Sequence, residues 1–157
     1  MIEPPVLPMI AWIDDPESTR YGSPLIGGKA SGLTALASAG LPVPSAFVIL
    51  PHAFIMQSHR GALPTLAPGA DRVIDAAYRQ LAGGLPDAIV AVRSSATVED
   101  GAVASHAGQF LTTLNVVGTD SVIGAALACV ASLHDAAAEA YRSERLGADS
   151  DLARMAV

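Results

Sequence analysis

One lysine stands apart in this chain, directly after two glycines. The 157 residues include nine basic side chains, of which Lys29 is the sole lysine, and it follows Gly27 and Gly28 where a helix is expected to begin. Glycine lets a backbone approach a ligand closely, a helix N-terminus presents N–H donors, and lysine adds a mobile charge. These are the components of a phosphate-binding site.

The spacing around Lys29 excludes the common P-loop. The pattern G-x-x-x-x-G-K-[ST] would need glycine in place of Ser23 and a hydroxyl residue in place of Ala30. A glycine turn that precedes a helix and carries a solvated lysine explains the short segment equally well, because such short motifs are weak signals. The segment alone therefore leaves both interpretations open.

A second candidate group begins at Arg93, at the end of a β-branched run, and continues with Ser94 and Ser95. Ligands collect at strand ends in α/β proteins, and arginine presents a planar fork that suits phosphate oxygens. The alternative is a strand-end arginine that pairs with Glu99 or Asp100 or is simply solvated. Those two acidic residues are themselves more typical of a solvated loop than of a cation site.

A third candidate is the loop Ser105–Gln109, which precedes an expected strand from Phe110 to Val117. Its small side chains would allow the backbone to lie over phosphates as a lid. A flexible, hairpin-like connection is the alternative.

The remaining reactive residue types give weaker signals. The four histidines lack the spacing of a metal site, so no metal site is assigned to them. Cys129 is the single cysteine, so an internal disulfide is excluded and a reducing compartment is indicated. It falls on an apolar helix face, where we expect the side chain to be a small buried hydrophobe rather than a catalytic thiol.

Composition narrows the class of protein. The chain is 51% hydrophobic and 15% charged, which predicts one folded domain, and its net charge of −6 argues against nucleic-acid binding. It has no apolar run long enough to cross a bilayer, and its first residues lack the basic region of a signal peptide. We therefore expect a cytoplasmic protein that binds neither nucleic acid nor membranes.

The hydrophobic pattern predicts short strands alternating with helices. The expected strands are Met9–Ile13, Ala46–Leu50, Ile89–Val92, Phe110–Val117 and one beginning at Met155. The expected helices are Ala30–Ala39, His52–His59, Asp71–Leu81 and a long one over Asp120–Gly147, capped by Thr119 or Asp120, with a loop over Gly61–Gly69. Spacing places Leu33, Leu36 and Ala37 on the buried face of the first helix, Val73, Ala76, Ala77 and Leu81 on that of the third, and Val122, Ala126, Cys129, Leu133, Ala136 and Ala140 on that of the last.

In their order along the chain, these segments resemble the amino-terminal nucleotide-binding domain of the phosphoenolpyruvate synthase and pyruvate phosphate dikinase family, which includes rifampin phosphotransferases. The resemblance covers about residues 10–157 and rests on the strings Gly27–Leu33, Ala39–Pro44, Phe47–Ile49, Val92–Asp100, Ala107–Gln109 and Leu114–Val116. Together these strings are specific for the family, whereas each string alone is not.

The resemblance implies an α/β (α+β) fold, the amino-terminal part of an ATP-grasp-like domain, with a mixed sheet flanked by helices and a long C-terminal helix. It implies that Lys29 and Arg93 contact phosphates, that Gly108 gives its backbone to the nucleotide, and that Thr112 supplies a hydroxyl. Further phosphate and lid-loop residues are expected at Gly28, Ser94, Ser95 and Gln109.

The same resemblance implies that residues 1–157 form a single partial domain. ATP and Mg²⁺ are the implied cofactors, with the metal ligands, a phosphohistidine domain and an acceptor domain outside this chain. The implied function is to hold ATP phosphates for transfer to a histidine carrier, without turnover by this chain alone. A complementary half or subunit, or self-association, would complete it. The alternative is a non-catalytic binding or regulatory module that acts through a protein partner.

Overall fold

The computed structural model describes residues 8–56, 63–85, 87–96, 111–132 and 155–157. These ranges contain three helices, α1 (Ser23–Ser38), α2 (Ala70–Leu81) and α3 (Thr119–Ser132). They also contain eight short strands: β1 (Ile10–Trp12), β2 (Phe47–Ile49), β3 (Phe54–Ile55), β4 (Thr65–Leu66), β5 (Ile89–Arg93), β6 (Ser95–Ala96), β7 (Thr112–Val117) and β8 (Met155–Ala156). The α+β class expected from the sequence is confirmed.

The strands form a network of antiparallel pairs that divides after Arg93. β5 pairs with β7, and one residue later the same stretch of chain, now β6, pairs with β8 instead. Val157, which follows β8, exchanges backbone hydrogen bonds of 2.6 and 3.1 Å with Ile49 of β2, and β2 in turn pairs with β1. Backbone hydrogen bonds therefore connect β7 to β1 through the strands between them.

A bulge in β7 decides which of its side chains reach the core. Val90 is opposite Val116 and Val92 is opposite Thr113, so β7 contributes one extra residue between these pairs. Asn115 accommodates it with a φ of 56°, a left-handed conformation that asparagine adopts more readily than most residues. As a result Val116 is buried, whereas Leu114 stays exposed on the opposite, outer face.

The helices cover the inner face of this network. The buried residues of α3 recur at three- and four-residue intervals and pack against β5 and β7. α2 packs on α3 and on β1 and β2, and all of these elements contribute to one apolar cluster. α1 forms a second apolar cluster with β1, β2 and β8, which includes Ile26, Ala30 and Val48. Both clusters consist largely of alanine and branched aliphatic side chains, as the composition predicts.

Several expectations about elements are wrong in detail. Residues 51–53 form a 3₁₀ turn and 54–55 form β3, where a helix over His52–His59 was expected; β3 pairs with β4, which lies in the expected loop Gly61–Gly69. Apolar residues in short runs do not distinguish strand from helix without their partners. Residues 57–62 lie outside the described part of the chain.

The predicted buried faces of two helices are also partly wrong. In α2, Ala77 is buried as expected, but Ile74 and Tyr78 accompany it, while Val73 is 39% exposed. In α1 the expected Leu33 and Ala37 are half-buried and pack against the same cluster as Ala30, whereas Leu36 is 45% exposed. Only the face of α2 is rotated by about one residue, because neighbouring elements rather than apolar spacing fix its orientation.

The last helix and the final strand agree with the pattern as far as the structure describes them. Val122, Ala126 and Cys129 are buried as expected, and residues 133–147 of the predicted helix lie outside the described ranges. Thr119 is the first helical residue rather than a cap, and its hydroxyl donates to Asp75 of α2. The strand expected at Met155 is confirmed. In the part of the chain described, no helix is long and apolar enough to span a membrane.

Candidate phosphate-binding site

The Gly27–Ala30 turn lies directly on the strand that follows Arg93. Gly27 interrupts α1 with a φ of 77° and a ψ of 167°, so the helix begins again at Gly28. A Cβ on Gly27 would overlap the carbonyl group and the hydroxyl of Ser95. The sequence predicted that glycine here would admit a ligand, whereas at Gly27 the close approach is to the protein's own backbone. That contact brings the first two candidate groups together.

Ser95 also caps the restarted helix. Its Oγ accepts a hydrogen bond of 3.2 Å from the backbone N–H of Ala30, in a buried position. A serine at an N-cap usually provides this bond from within the same segment. Here a residue on another strand provides it, because the cap position is occupied by Gly27. The Ser95 hydroxyl therefore fixes the orientation of the helix start that carries Lys29.

Lys29 lies against the peptide group that joins Ser94 to Ser95, between β5 and β6. Its Nζ donates a hydrogen bond of 3.3 Å to the carbonyl oxygen of Ser94. An ammonium group has three donors, so this contact is compatible with a phosphate oxygen as a further acceptor. The Ser94 side chain is fully buried, and its Oγ has no hydrogen-bond partner among the described residues. The structure thus brings Lys29, Ser94 and Ser95 together.

Arg93 and Thr112 form a cross-strand pair. The register of β5 and β7 places them directly opposite one another at the end of the ladder, and both are exposed. Side chains at directly opposite positions leave the sheet on the same face, a few ångströms apart. A guanidinium fork and a hydroxyl are therefore presented side by side. The sequence identified both residues, but their pairing follows only from the register.

Cys129 lies beneath this group, a relationship that the sequence analysis missed. Its Sγ donates to the carbonyl oxygen of Leu111 at 3.5 Å, and the same oxygen accepts a 3.1 Å hydrogen bond from Ser94 N–H. Burial raises the pKa of Cys129 to about 11, while the charge of Lys29 and a hydrogen bond from the Ser94 backbone act in the opposite direction. The apolar spacing of α3 predicted burial of this thiol, but no sequence signal related it to Lys29.

Two of the expected nucleotide-contacting residues, Gly108 and Gln109, lie outside the described residues. Within the described ranges, no three His, Cys, Asp or Glu side chains are grouped so that they could hold a metal ion. The residues that do come together present positive charge, hydroxyl groups and peptide groups, a set that suits a phosphate ester rather than a cation.

A separate groove lies between α2 and the start of α3 and is lined by none of these residues. It has a volume of about 700 Å³ and charged walls that include Asp71, Asp75 and Asp120 together with Arg72 and Arg79. Hydrogen bonds from Thr119 and Arg79 hold the pKa of Asp75 below its ordinary value. Three carboxylates line this groove against two arginines, and one of the arginines pairs with Asp75, so the lining has no excess of positive charge for a phosphate group. The candidate site therefore remains the one around Lys29.

Fold and site together define an α+β domain with a cationic site suited to phosphates, and comparison with known proteins identifies its family. Residues 64–157 match the family described as "Pyruvate phosphate dikinase, AMP/ATP-binding domain". This match covers more than half of the chain, and the chain therefore belongs to that family. Lys29 precedes the matched region, whereas Arg93 and Thr112 lie within it.

Individual relatives extend the similarity across nearly the whole chain. The phosphoenolpyruvate synthase of Aeropyrum pernix is 35% identical over 95% of this chain and 22% of its own length. The prodigiosin synthesizing transferase PigC of Serratia marcescens is 43% identical over 82% of this chain and 16% of its own length. A rifampicin phosphotransferase of a Streptomyces species is 36% identical over 84% of this chain and 19% of its own length. The chain thus spans about a fifth of the length of these relatives.

Proposed function

We propose that this chain is the part of a phosphoenolpyruvate synthase-like phosphotransferase that holds the phosphates of ATP. One observation carries the proposal: the Gly27–Ala30 turn lies on Ser94 and Ser95, so that the sole lysine of the chain meets the strand end that carries Arg93. Membership of the AMP/ATP-binding family supports ATP as the ligand.

In the proposed site each residue has a distinct task. Lys29 and Arg93 neutralise phosphate charge, and Thr112, opposite Arg93, donates its hydroxyl to the nucleotide. Ser94 and Ser95 hold the lysine and the start of its helix, with Gly28 in the same turn. We also assign Gly108 and Gln109 to the loop that covers the phosphates. Phosphoryl transfer depends mainly on positioning and charge neutralisation, which these residue types provide.

The remaining chemistry is proposed to lie outside these residues. We propose that residues 1–157 form the first part of an ATP-grasp-like domain, and that a histidine on a carrier domain elsewhere accepts the phosphoryl group. Mg²⁺ accompanies ATP in this proposal and is held by carboxylates outside the chain. The free, buried thiol of Cys129 supports a reducing, cytoplasmic setting.

Titration calorimetry with Mg-ATP tests the proposal directly, because binding needs no turnover. We expect the wild-type chain to bind ATP, and Lys29→Met to bind at least about tenfold more weakly, since a charge-assisted hydrogen bond contributes roughly 1.5–3 kcal/mol. Arg79→Gln is the matched control, because Arg79 is an exposed cation of α2 that pairs with Asp75. Equal affinity of wild type and Lys29→Met would contradict the proposed site.

A second candidate function, binding of a protein partner, is favoured by the outer face of β5 and β7. Ile89 is 69% exposed and Leu114 is 65% exposed on this face, an unusual exposure for strand residues of this size. We propose that a complementary half or subunit of the phosphotransferase covers this face, with self-association as the alternative. Sedimentation velocity over a range of protein concentrations tests self-association. A Leu114→Ser variant should lose any association that wild type shows.

A further inference from the structure

The Cys129 thiol lies at the point where the strand network divides. After Arg93 the chain leaves β7 and turns to pair with β8, and the last hydrogen bond to the β7 side runs from Ser94 N–H to the Leu111 carbonyl. The thiol donates to that same carbonyl from α3. This carbonyl, which immediately precedes Thr112, therefore receives two donors, one from each of two different elements.

Three hydrogen bonds then connect the thiol to the lysine. Cys129 donates to the Leu111 oxygen at 3.5 Å, Ser94 N–H donates to the same oxygen at 3.1 Å, and Lys29 Nζ donates to the Ser94 oxygen at 3.3 Å. The two peptide groups in this series of hydrogen bonds are those of Leu111, which precedes Thr112, and Ser94, which follows Arg93. A shift of the Leu111 carbonyl would therefore displace the cross-strand pair and the acceptor of Lys29 together.

Both residues that donate to this carbonyl are fully buried. Cys129 and Ser94 each have no exposed surface, so loss of the thiol leaves a buried space beside the carbonyl rather than a solvated one. The lowering effect of the Lys29 charge on the pKa of Cys129 shows that the two groups are within electrostatic reach. The thiol is thus a hydrogen-bond donor to the carbonyl that also binds Ser94, the residue whose own carbonyl accepts from Lys29.

We propose that Cys129 is a positioning residue of the phosphate-binding site, whose thiol fixes the Leu111 carbonyl and, through it, Arg93, Thr112 and the Ser94 acceptor of Lys29. This inference rests on the proposed function and deepens it. It assigns no chemistry to the thiol itself, which remains protonated at neutral pH and makes no contact with the ligand.

The test compares two substitutions of Cys129 in the full chain. Cys129→Ala removes the donor, and we expect the dissociation constant for Mg-ATP to rise about fivefold, the effect of one hydrogen bond. Cys129→Ser retains a hydrogen-bond donor, so its dissociation constant for Mg-ATP should stay within about twofold of the wild-type value. Val122→Ala is the control: it also removes buried atoms from α3, so it should lower the melting temperature without changing the ATP affinity.

A second measurement needs no nucleotide. Because Lys29 is the only lysine, ¹³C-lysine labelling gives a single ε-methylene NMR signal. That signal should shift in Cys129→Ala, return towards the wild-type position in Cys129→Ser, and stay in place in Val122→Ala. The proposal is overturned if Cys129→Ala leaves both the Lys29 signal and the ATP affinity unchanged, or if Cys129→Ser restores neither. Absence of ATP binding by wild type would instead overturn the proposed function, and the lysine signal would still decide whether Cys129 positions Lys29.

Discussion

Gly27 and Ser95 are in contact through their main chains, and that contact determines the geometry of the site. The backbone of Gly27 lies where any side chain would overlap the Ser95 carbonyl. The approach allows Ser95 Oγ to reach Ala30 N–H and Lys29 to reach Ser94. Glycine is therefore required at this position for two reasons: the backbone has a positive φ, and there is no space for a Cβ.

Replacement of Gly27 by alanine should destabilise the chain strongly. The backbone conformation of Gly27, φ 77° and ψ 167°, is one that only glycine adopts readily and costs alanine roughly 1–3 kcal/mol. Overlap with Ser95 adds to this cost, so we expect a loss of about 3 kcal/mol or more. Gly40→Ala is the matched control, because Gly40 has a φ of 75° with no atom within 4 Å of a Cβ. Urea denaturation measures both variants, and equal losses would show that the contact with Ser95 contributes nothing.

Loss of the Ser95 hydroxyl should uncap the helix start. Ser95→Ala leaves the buried N–H of Ala30 without its acceptor, which we expect to cost about 1–3 kcal/mol in free energy of unfolding. Ser38→Ala serves as the comparison, since Ser38 bonds to the Thr34 carbonyl near the exposed end of α1 and should change stability by less than about 0.5 kcal/mol. Thermal unfolding of the two variants, followed by circular dichroism, distinguishes them; a Ser95 variant as stable as the Ser38 variant would contradict the capping role.

The sequence was most informative where apolar spacing and turn residues agreed. It predicted β2, α2 and β5, the buried face of α3 over Val122, Ala126 and Cys129, and a strand at Met155, because each follows a local pattern. It also selected Lys29 and Arg93 by residue type. These predictions need no knowledge of which strands are neighbours.

What the sequence did not predict depends on long-range pairing. The pairing of Arg93 with Thr112 follows from the register of β5 and β7, and the contact between Gly27 and Ser95 follows from the departure of β6 towards β8. In the sequence pattern of α3, Cys129 is one buried apolar position among several. Its hydrogen bond to Leu111 and its electrostatic interaction with Lys29 follow only from the tertiary structure. Relationships of this kind join distant segments and leave no trace in local periodicity.

Arg93 should contribute to nucleotide affinity but little to stability. It is exposed at the end of β5, so Arg93→Gln should fold normally and bind Mg-ATP about 10- to 100-fold more weakly, through loss of a charge-assisted contact. Arg20→Gln controls for net charge, because Arg20 is also exposed and pairs with Glu17 on a 3₁₀ turn. Calorimetry at low and moderate salt measures the effect; equal affinity of the two variants would remove Arg93 from the proposed site.

The buried thiol should make stability fall at alkaline pH. The pKa of Cys129 rises from 9.0 to about 11 on folding, mainly through burial. Below pH 9 the thiol is protonated in both states, whereas between about pH 9 and 11 it ionises in the unfolded chain only, so unfolding releases a proton and the free energy of unfolding decreases. Cys129→Ala lacks this group. The stability advantage of wild type over this variant should therefore shrink across that window in urea titrations, since the alkaline groups other than Lys29 act on both proteins alike. An advantage that stays constant up to pH 11 would show that the thiol titrates alike in the folded and unfolded chains.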